Sequence, residues 1–430
     1  RAVLPSIITM FESRPTVAVA TLGCKVNQAD SDAYAQSFVE AGYTLVPVEA
    51  SADVCVVNTC SVTNVGDQKS RQVIQRMRRA NPDALIAVTG CYAALAPQAV
   101  ERLTGADVVA GLSEKAHLVE LVSERLIERG VQPRPTGSPQ ATGLVRAVPR
   151  TRLNVKVQDG CNDFCSYCIV PFTRGRAHAL PEPEALAQIR RAAEEGYQEV
   201  VITGVNLTTY GRNAGSSLGH LLEAILEQTA IPRIRLSSIE PFKFDLAWLS
   251  LWASPRLCRH FHLPLQSGCD ATLRRMRRRY DTDWYACLLQ GIRAALPDAA
   301  VWTDLIAGFP GEDDEEFEAS LAFVEAMVFA GIHVFRYSPR TGTRAADLPD
   351  QVPASVKRAR GARLLRLSDA GKRRFATGLV GTTAPVLFED ASGLTGNYVR
   401  VYAAGAQPNT MARVRLLRPE SDGLWGEMVG

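Results

Sequence analysis

Short apolar runs alternate with longer amphipathic stretches over the first third of the chain. The runs have the length and composition of buried strands, and the stretches have the periodicity of helices. We predict strands at residues 17–22, 54–57 and 85–89, and helices at residues 29–41, 67–79 and 97–103. Regular alternation of this kind is typical of a parallel sheet with helices on its faces.

The same alternation continues through the middle of the chain. We predict six further strands, at residues 153–158, 200–203, 234–237, 260–263, 302–306 and 332–337, with helices between them, for example at 183–195 and 315–330. Six strand–helix units predict a partial (β/α)6 barrel. In such barrels the functional residues lie at the carboxyl ends of the strands.

The pattern changes again near the C-terminus. A basic helix is predicted at about residues 356–376, followed by short strands at 384–389, 398–402, 411–417 and 424–429, with Gly393 and Gly396 as turns. Short strands in this number favour a small β-barrel. The predicted class is α/β with three domains, at residues 16–130, 144–377 and 378–430, and residues 130–143 are rich in Pro, Gly, Ser and Thr, as in a linker.

Composition restricts the compartment and the role of the cysteines. Hydrophobic residues make up 46% of the chain, which is ample for packed cores, and the net charge is only +3. No apolar run has the length of a membrane span, and we expect no signal peptide, so we predict a cytoplasmic protein without membrane partners. In that compartment the ten cysteines are expected to include metal ligands rather than to form disulfides.

The strongest chemical signal is a C-x3-C-x2-C run formed by Cys161, Cys165 and Cys168. It follows the first predicted barrel strand, where an active-site loop is expected. Three thiolates on one loop can bind three irons of a [4Fe–4S] cluster and leave the fourth iron open. The alternative is a structural zinc site completed by His178 or a distant cysteine, but no second C-x2-C pair is nearby.

A second set of cysteines is distributed along the first segment. Cys24, Cys60 and Cys91 each follow a predicted parallel strand. Ligands of open α/β sheets bind beyond the carboxyl ends of the strands, so these thiols are candidates for a second metal site. The alternative for any one of them is an ordinary buried cysteine.

Seven segments carry a family resemblance. They are TLGCKVNQADS, VVNTCSVT, VTGCYA, VQDGCNDFCSYCIVPFTRGR, LSSIEP, HLPLQSGCD and DLIAGFPGE. Together they resemble the methylthiotransferases of the radical S-adenosylmethionine (SAM) superfamily, from about Val17 to the C-terminus. The resemblance implies an N-terminal cluster domain, a radical-SAM partial barrel and a C-terminal RNA-binding TRAM domain.

By this resemblance the chain binds two [4Fe–4S] clusters and SAM. Cys161, Cys165 and Cys168 would hold the cluster that cleaves SAM to a 5′-deoxyadenosyl radical. The second cluster would be held by Cys24, Cys60 and Cys91, where a methylthio group is assembled with a methyl from another SAM. An electron donor and a sulfur source are further implied partners, and the resemblance identifies neither.

The family has three branches that differ in substrate. They modify isopentenyladenosine in tRNA, threonylcarbamoyladenosine in tRNA, or an aspartate of a small-subunit ribosomal protein. The strings GCKVNQADS, GDQKSRQVIQR, RHFHLPLQSGCDATLRRMRRRY and GLTGNYVRV are most similar to the threonylcarbamoyladenosine branch. We therefore expect methylthiolation of carbon 2 of that nucleoside at position 37 of tRNA, with the other two substrates as alternatives.

Polar residues near the predicted strand ends are candidates for SAM contacts. They are Tyr167, Gly204, Asn206, Ser238, Glu240, Gln266 and Asp304. Each alone could equally be a turn, capping or packing residue. Arg174 and Arg176 follow the cysteine loop and are candidates for substrate contacts, with a surface ion pair as the alternative. The densest basic run, Arg274, Arg275, Arg277, Arg278 and Arg279, is a candidate surface for RNA phosphate.

Overall fold

The structure is a computed structural model, and it describes residues 15–130, 151–212 and 215–429. The predicted linker lies, apart from its first residue, outside the described residues. By internal contacts the described chain divides into two compact units. One comprises residues 15–22, 30–59 and 68–130, and the other comprises residues 23–29, 60–67, 151–212 and 215–429.

The first unit contains a parallel sheet with the strand order β2-β1-β3-β4-β5. Its strands are β1 (Thr16–Thr21), β2 (Thr44–Leu45), β3 (Val54–Thr59), β4 (Leu85–Gly90) and β5 (Val108–Val109). The helices that follow them are α1 (Lys25–Glu40), α2 (Asn64–Ala80), α3 (Cys91–Leu95), α4 (Pro97–Thr104) and α5 (Leu118–Glu128). The side chains of β3 are buried throughout, as expected of a central strand covered on both faces.

The second unit contains the six predicted barrel strands in two parallel sheets. They are β6 (Arg152–Asp159), β8 (Glu199–Gly204), β9 (Arg233–Leu236), β10 (His260–His262), β11 (Ala300–Ala307) and β12 (Gly331–Arg336), with the short β7 (His178–Ala179) antiparallel at one edge. Single bridges, Ile234 to Leu257 and Ser238 to His262, link the two sheets into one curved wall. The α/β class and the partial barrel predicted from the sequence are therefore confirmed.

Helices connect the barrel strands. They are α6 (Val170–Arg174), α7 (Glu182–Glu194), α8 (Leu218–Gln228), α9 (Asp270–Arg275), α10 (Thr282–Ala295) and α11 (Asp314–Ala326), and α12 (Ala354–Thr377) leads out of the barrel. Several begin with a side-chain cap; at α10 the carboxylate of Asp281 accepts a hydrogen bond from the backbone N–H of Trp284 at 2.8 Å. No helix within the described ranges is both long and apolar enough to cross a bilayer.

The C-terminal strands close into a five-stranded barrel of order β13-β14-β15-β17-β16. They are β13 (Thr383–Phe388), β14 (Ser392–Thr395), β15 (Arg400–Ala403), β16 (Thr410–Glu420) and β17 (Gly423–Met428). The small β-barrel is confirmed, but the prediction of Gly393 as a turn is wrong. Gly393 lies in β14, where a Cβ would stand 2.4 Å from the carbonyl oxygen of Leu387, so glycine is needed there for close approach of two strands.

A buried ionic cluster joins this barrel to the (β/α) wall. Glu199, the first residue of β8, is fully buried and accepts hydrogen bonds from Arg233 and, at 2.8 Å, from Nε of Arg235. The two guanidiniums also donate to three backbone carbonyls of the C-terminal barrel at 3.0–3.1 Å, those of Leu394, Thr395 and Gly396. Burial alone would raise the pKa of Glu199, but Arg235 and Arg233 outweigh it and lower that pKa to about 2.

Replacing Glu199 with glutamine is expected to destabilise this unit by about 3–5 kcal/mol, because two buried guanidiniums lose their counter-charge. The stabilisation of the folded state that comes from the lowered pKa of Glu199 is fully present above about pH 4.3. It is lost as the pH falls toward the folded-state pKa of about 2. Thermal unfolding of the wild type and the variant measures the difference. The exposed Glu227, on α8, provides the matched control, for which Glu227→Gln should change stability by less than about 0.5 kcal/mol. Equal unfolding temperatures of wild type and Glu199→Gln would contradict a stabilising role for the cluster.

Candidate active site at the cysteine loop of the barrel

The cysteine loop begins at the carboxyl end of β6. Gly160 makes the turn into it with φ of 68°, and a Cβ there would stand 2.1 Å from the carbonyl oxygen of Arg176. The backbone N–H of Cys161 then donates to the carbonyl of Gly175 at 3.1 Å. Only glycine fits where these two backbone segments cross. The loop therefore starts directly at the carboxyl end of β6, the end of the barrel where active sites are found.

The three thiols of this loop lie close enough to influence one another. Burial raises the pKa of Cys168 to about 12, and the neighbouring Cys165 and Cys161 raise it as well. Burial also raises the pKa of Cys161, with Cys165 among the contributing charges. Three adjacent thiolates need a positive partner, and iron coordination supplies one because it deprotonates a thiol outright. The donor set therefore fits a cluster with three protein ligands.

Hydrogen-bond donors point at two of the sulfurs. Nη1 of Arg278 is 3.3 Å from Sγ of Cys165, and Nδ2 of Asn206 is 3.8 Å from Sγ of Cys161. The backbone N–H of Asp163 also donates to Sγ of Cys161, at 3.5 Å. Donors of this kind stabilise negative charge on sulfur and tune the potential of a bound cluster.

Arg278 is the contact that sequence reasoning missed, because it lies within the basic run assigned to RNA. Its side chain is only 5% exposed and is paired with Glu240 at 2.6 and 2.8 Å. Arg277, with φ of 60°, turns the chain so that the next side chain points inward. Arg275 likewise has a protein partner, since its Nη1 donates to the carboxylate of Glu316 at 2.9 Å. The run is therefore not one continuous basic face, and its exposed members are Arg274, Arg277 and Arg279.

A second ion pair, also missed from the sequence, supports the cysteine loop. Nζ of Lys243 is 2.7 Å from a carboxylate oxygen of Asp163, and the two side chains are 9% and 13% exposed. Nδ2 of Asn206 donates to the same carboxylate at 2.6 Å. Asp163 lies inside the C-x3-C spacing, so these contacts fix the conformation of the loop between Cys161 and Cys165. No sequence signal pairs Lys243 with Asp163, which are 80 residues apart.

A cavity of about 180 Å³ opens beside the loop. Among its lining residues are Cys168 and three of the predicted SAM contacts, Tyr167, Gln266 and Asp304. The structure thus brings these three predicted residues to one space with a cluster cysteine. Tyr167 also packs edge-on against Phe309, with ring centroids 6.4 Å apart, so it contributes to the core as well.

The other four predicted SAM contacts do not line this cavity, and each has protein partners. Gly204 packs tightly against Gln158, and Glu240 and Asn206 are engaged as described above. The Oγ atom of Ser238 is 2.7 Å from Nδ1 of His262, whose Nε2 is 2.7 Å from Asp304. His262 thus connects two of the predicted residues, Ser238 and Asp304, and was itself not predicted from the sequence. For all seven residues a SAM contact stays a prediction.

The two arginines after the loop have different surroundings. Arg174 is 6% exposed, pairs with Asp159 at 3.0 Å and donates to Asn27. Arg176 is exposed, and its guanidinium lies 5.0 Å from the centroid of the Phe164 ring. Arg176 is therefore accessible to a ligand, whereas the guanidinium of Arg174 is held by side chains of the protein.

Cys24 and Cys60 are carried by two short loops of the second unit. A Cβ on Gly23 would stand 2.8 Å from Cβ of Cys60, so the two loops pack closely. The start of α1, directly after Cys24, is fixed by a hydrogen bond from Nδ2 of Asn154 to the side-chain oxygen of Gln28 at 3.0 Å. The Cys60 loop is fixed by Arg340, as described next.

Arg340 holds the Cys60 loop from within the same unit. Its guanidinium donates to Oγ of Ser61 at 2.7 Å and pairs with Asp67 at 2.8 Å, and it is 4% exposed. In a third contact, Nη1 of Arg340 donates to the side-chain oxygen of Asn64 at 2.6 Å. The loop after β3 is thereby held in one conformation.

Cys91 belongs to the first unit and is the first residue of α3. The preceding Gly90 has φ of 90° and pairs with Thr59 in the sheet, so Cys60 and Cys91 each follow a paired position of adjacent strands. Within the described residues, no group of three or more Cys, His, Asp or Glu side chains forms a ready metal-binding arrangement. Both ligand trios stay predictions.

Two family models match the chain. The uncharacterized protein family UPF0004 matches residues 16–111, and the radical SAM superfamily matches residues 155–324. Among solved structures, that of the radical S-adenosylmethionine methyltransferase TsrM from Kitasatospora setae, with cobalamin and a [4Fe–4S] cluster, is similar with a TM-score of 0.57 at 16% identity. It covers 76% of this chain and 77% of that one. At this identity the likeness supports the fold.

Curated relatives match over nearly the whole chain. The threonylcarbamoyladenosine tRNA methylthiotransferase MtaB of Bacillus subtilis (strain 168) is 38% identical over 429 residues, which is 94% of each chain. MtaB of Aquifex aeolicus is 35% identical over 90% of this chain and 97% of its own. The tRNA-2-methylthio-N(6)-dimethylallyladenosine synthase of Moorella thermoacetica is 33% identical over 98% of this chain and 100% of its own. The chain therefore belongs to the radical SAM tRNA methylthiotransferase family.

Proposed function

We propose that this enzyme attaches a methylthio group to carbon 2 of N6-threonylcarbamoyladenosine at position 37 of tRNA. The observation that carries the proposal is the match to MtaB of Bacillus subtilis over 94% of both chains. The match includes the cysteine loop, which lies at the catalytic end of the barrel. Fold alone would not suffice, because one fold supports many reactions.

The cofactors of the proposed reaction are two [4Fe–4S] clusters and SAM. Cys161, Cys165 and Cys168 would hold the first cluster, which supplies the electron that cleaves SAM. Arg278 and Asn206 would donate hydrogen bonds to its thiolates. The loop between the first two cysteines is fixed by the pair of Asp163 and Lys243. The walls of the adjacent cavity would position SAM through Tyr167, Gln266 and Asp304.

The second cluster would be held by Cys24, Cys60 and Cys91. Supporting this assignment, each thiol follows a strand of one parallel sheet, and the loops of Cys24 and Cys60 pack against one another. The buried Arg340 fixes the Cys60 loop, as a ligand-bearing loop requires. This cluster would supply the sulfur that ends on the substrate carbon.

RNA binding would involve the C-terminal barrel and the exposed arginines near the cysteine loop. The proposed domains are residues 16–130, 144–377 and 378–430, the last being TRAM-like. Arg274, Arg277 and Arg279 are exposed and can contact phosphates, so RNA affinity should fall steeply with salt. A cytoplasmic location fits a tRNA substrate.

A second candidate substrate is isopentenyladenosine at the same position of tRNA. The relative from Moorella thermoacetica, named for a dimethylallyladenosine product, covers 98% of this chain at 33% identity. The identity to the MtaB relatives from Bacillus subtilis and Aquifex aeolicus is higher, at 38% and 35%. The threonylcarbamoyl substrate is therefore preferred.

Nucleoside mass spectrometry of tRNA from a strain lacking only this gene tests the substrate. We expect the methylthio form of threonylcarbamoyladenosine to disappear and its unmodified precursor to accumulate, with methylthio-isopentenyladenosine unchanged. Complementation with the intact gene is the control. Loss of the isopentenyl product instead would establish the second candidate and exclude the first.

A further inference from the structure

We propose that Arg336 is the subsite for the carboxylate of the substrate's threonyl group. The inference rests on the proposed function and specifies how the same site would select its nucleoside. Arg336 is the last residue of β12, where it pairs with Ala307 of β11 at the carboxyl end of the barrel. It lines the cavity that also contains Cys168 and the three residues proposed to position SAM, so SAM and the threonyl group would share this cavity.

The backbone around Arg336 is fixed, whereas its guanidinium is available. The N–H of Tyr337 donates to the carbonyl of Ala307 at 2.9 Å, and Oγ of Ser338 accepts from the N–H of Asn64 at 3.1 Å. The Arg336 side chain is exposed, and among the described residues none forms an ion pair or a hydrogen bond with its guanidinium. A fixed backbone with a free cation is the arrangement expected of a side chain that waits for a ligand.

The charges in the cavity favour a single anionic group on the ligand. Of the described residues that line it, only Asp304 and Arg336 are charged, and Asp304 is already hydrogen-bonded to His262. The remaining wall is largely apolar and aromatic, with Phe335 39% exposed and able to pack on a base. Arg336 is thus a free cation beside a surface suited to a purine.

An adjoining cavity of about 380 Å³ shares Arg336 and continues outward. Its lining within the described chain adds Lys357 and Arg358 and contains no acidic residue. Two anions of the substrate could therefore occupy this side of the site, a carboxylate and a backbone phosphate. Because Arg336 is, among the described residues, the one cation that lines both cavities, we assign it the inner anion and assign Lys357 and Arg358 the outer one.

Substrate chemistry places the carboxylate at the inner position. Carbon 6 of the purine, which bears the threonylcarbamoyl chain through its nitrogen, is separated from the reacting carbon 2 by one ring atom. The ribose and its phosphates leave from the opposite side of the base. Carbon 4, which leads to the ribose, is also one ring atom from carbon 2, and we assign the inner position to the carboxylate because Lys357 and Arg358 of the outer cavity can hold the phosphate. An isopentenyl chain would leave the same guanidinium without a partner.

Binding measurements on anticodon stem-loops distinguish recognition of the threonyl carboxylate from recognition of a backbone phosphate. The cluster-loaded full chain would be titrated anaerobically with three RNAs that carry threonylcarbamoyladenosine, its neutral carboxamide, or adenosine at position 37. The wild type should bind the carboxylate RNA about tenfold or more tightly than the carboxamide, as for a charge-assisted hydrogen bond. Arg336→Gln should reduce that ratio to about twofold or less. Arg336→Lys should keep part of it, because lysine retains the charge but not the planar fork.

Arg358→Gln is the matched control, because Arg358 lines the outer cavity together with Arg336 and Lys357. It should weaken all three RNAs equally and reduce the salt dependence, as expected for a phosphate contact. Iron content and unfolding temperature of Arg336→Gln verify that the variant is folded. A ratio that persists in Arg336→Gln, or a wild type that does not discriminate acid from amide, would overturn the subsite. If the wild type prefers the carboxylate RNA but never methylthiolates it, the proposed function fails while the subsite stands.

Discussion

Replacing Cys165 with alanine is expected to abolish reductive cleavage of SAM. The variant loses one of three thiol ligands of the proposed cluster and leaves Arg278 facing an empty position where its sulfur contact was. Removing an outer-sphere partner of a metal ligand typically costs 10–100-fold, so loss of the ligand itself should exceed about 100-fold. The measurement is 5′-deoxyadenosine formed by the anaerobically reconstituted enzyme with dithionite as reductant.

Cys287→Ala provides the matched control for this experiment. Cys287 is exposed on α10 and lies outside the loops of both proposed clusters. It should retain the wild-type rate and an iron content of about eight per chain, whereas Cys165→Ala should retain about four. Deoxyadenosine at the wild-type rate from Cys165→Ala would remove the basis for the radical site.

The Cys60→Ala variant is expected to separate the two halves of the reaction. It should still cleave SAM, because the loop of Cys161, Cys165 and Cys168 is intact, but it should form no methylthiolated RNA. The physical reason is that the sulfur would come from the second cluster, of which Cys60 is a proposed ligand. Deoxyadenosine by chromatography and modified nucleoside by mass spectrometry, measured on one sample, test both parts.

Iron content and folding make the Cys60 result specific. About four irons should remain per chain, with an unfolding temperature close to that of the wild type. The loop has independent anchors, since Arg340 contacts Ser61 and Asp67 rather than the cysteine. Methylthiolated product from Cys60→Ala at the wild-type level would show that this thiol is not a ligand of the sulfur-donating cluster.

The elements of the fold could be predicted because their patterns are local. The apolar run at 54–57 became β3 (Val54–Thr59), and the basic helix predicted at 356–376 became α12 (Ala354–Thr377). The missed strand β14 (Ser392–Thr395) contains Gly393, which single-sequence reasoning takes as a turn. Its glycine is required by the approach of Leu387 from another strand, and such an approach is a tertiary fact that no local window contains.

Parts of the candidate site could not be predicted for the same reason. The spacing of Cys161, Cys165 and Cys168 identifies their chemistry because all three lie on one loop. By contrast, Arg278 differs from its neighbours in the basic run only by the direction in which it points. His262 became visible only when the barrel brought Ser238 and Asp304 to its two nitrogens.

The backbone carbonyls that accept hydrogen bonds from Arg233 and Arg235 limit how the C-terminal barrel can be exchanged between members of this family. Because the acceptors at residues 394–396 are main-chain oxygens, these three hydrogen bonds depend on the backbone path of this segment rather than on the identity of its side chains. A chimaera carrying another relative's C-terminal barrel should therefore keep these bonds where the segment follows the same backbone path, and lose them where an insertion displaces it. Cutting the chain after α12 would remove the three carbonyl acceptors and leave Glu199 as the remaining partner of the two guanidiniums, so truncation is expected to destabilise the rest of the unit.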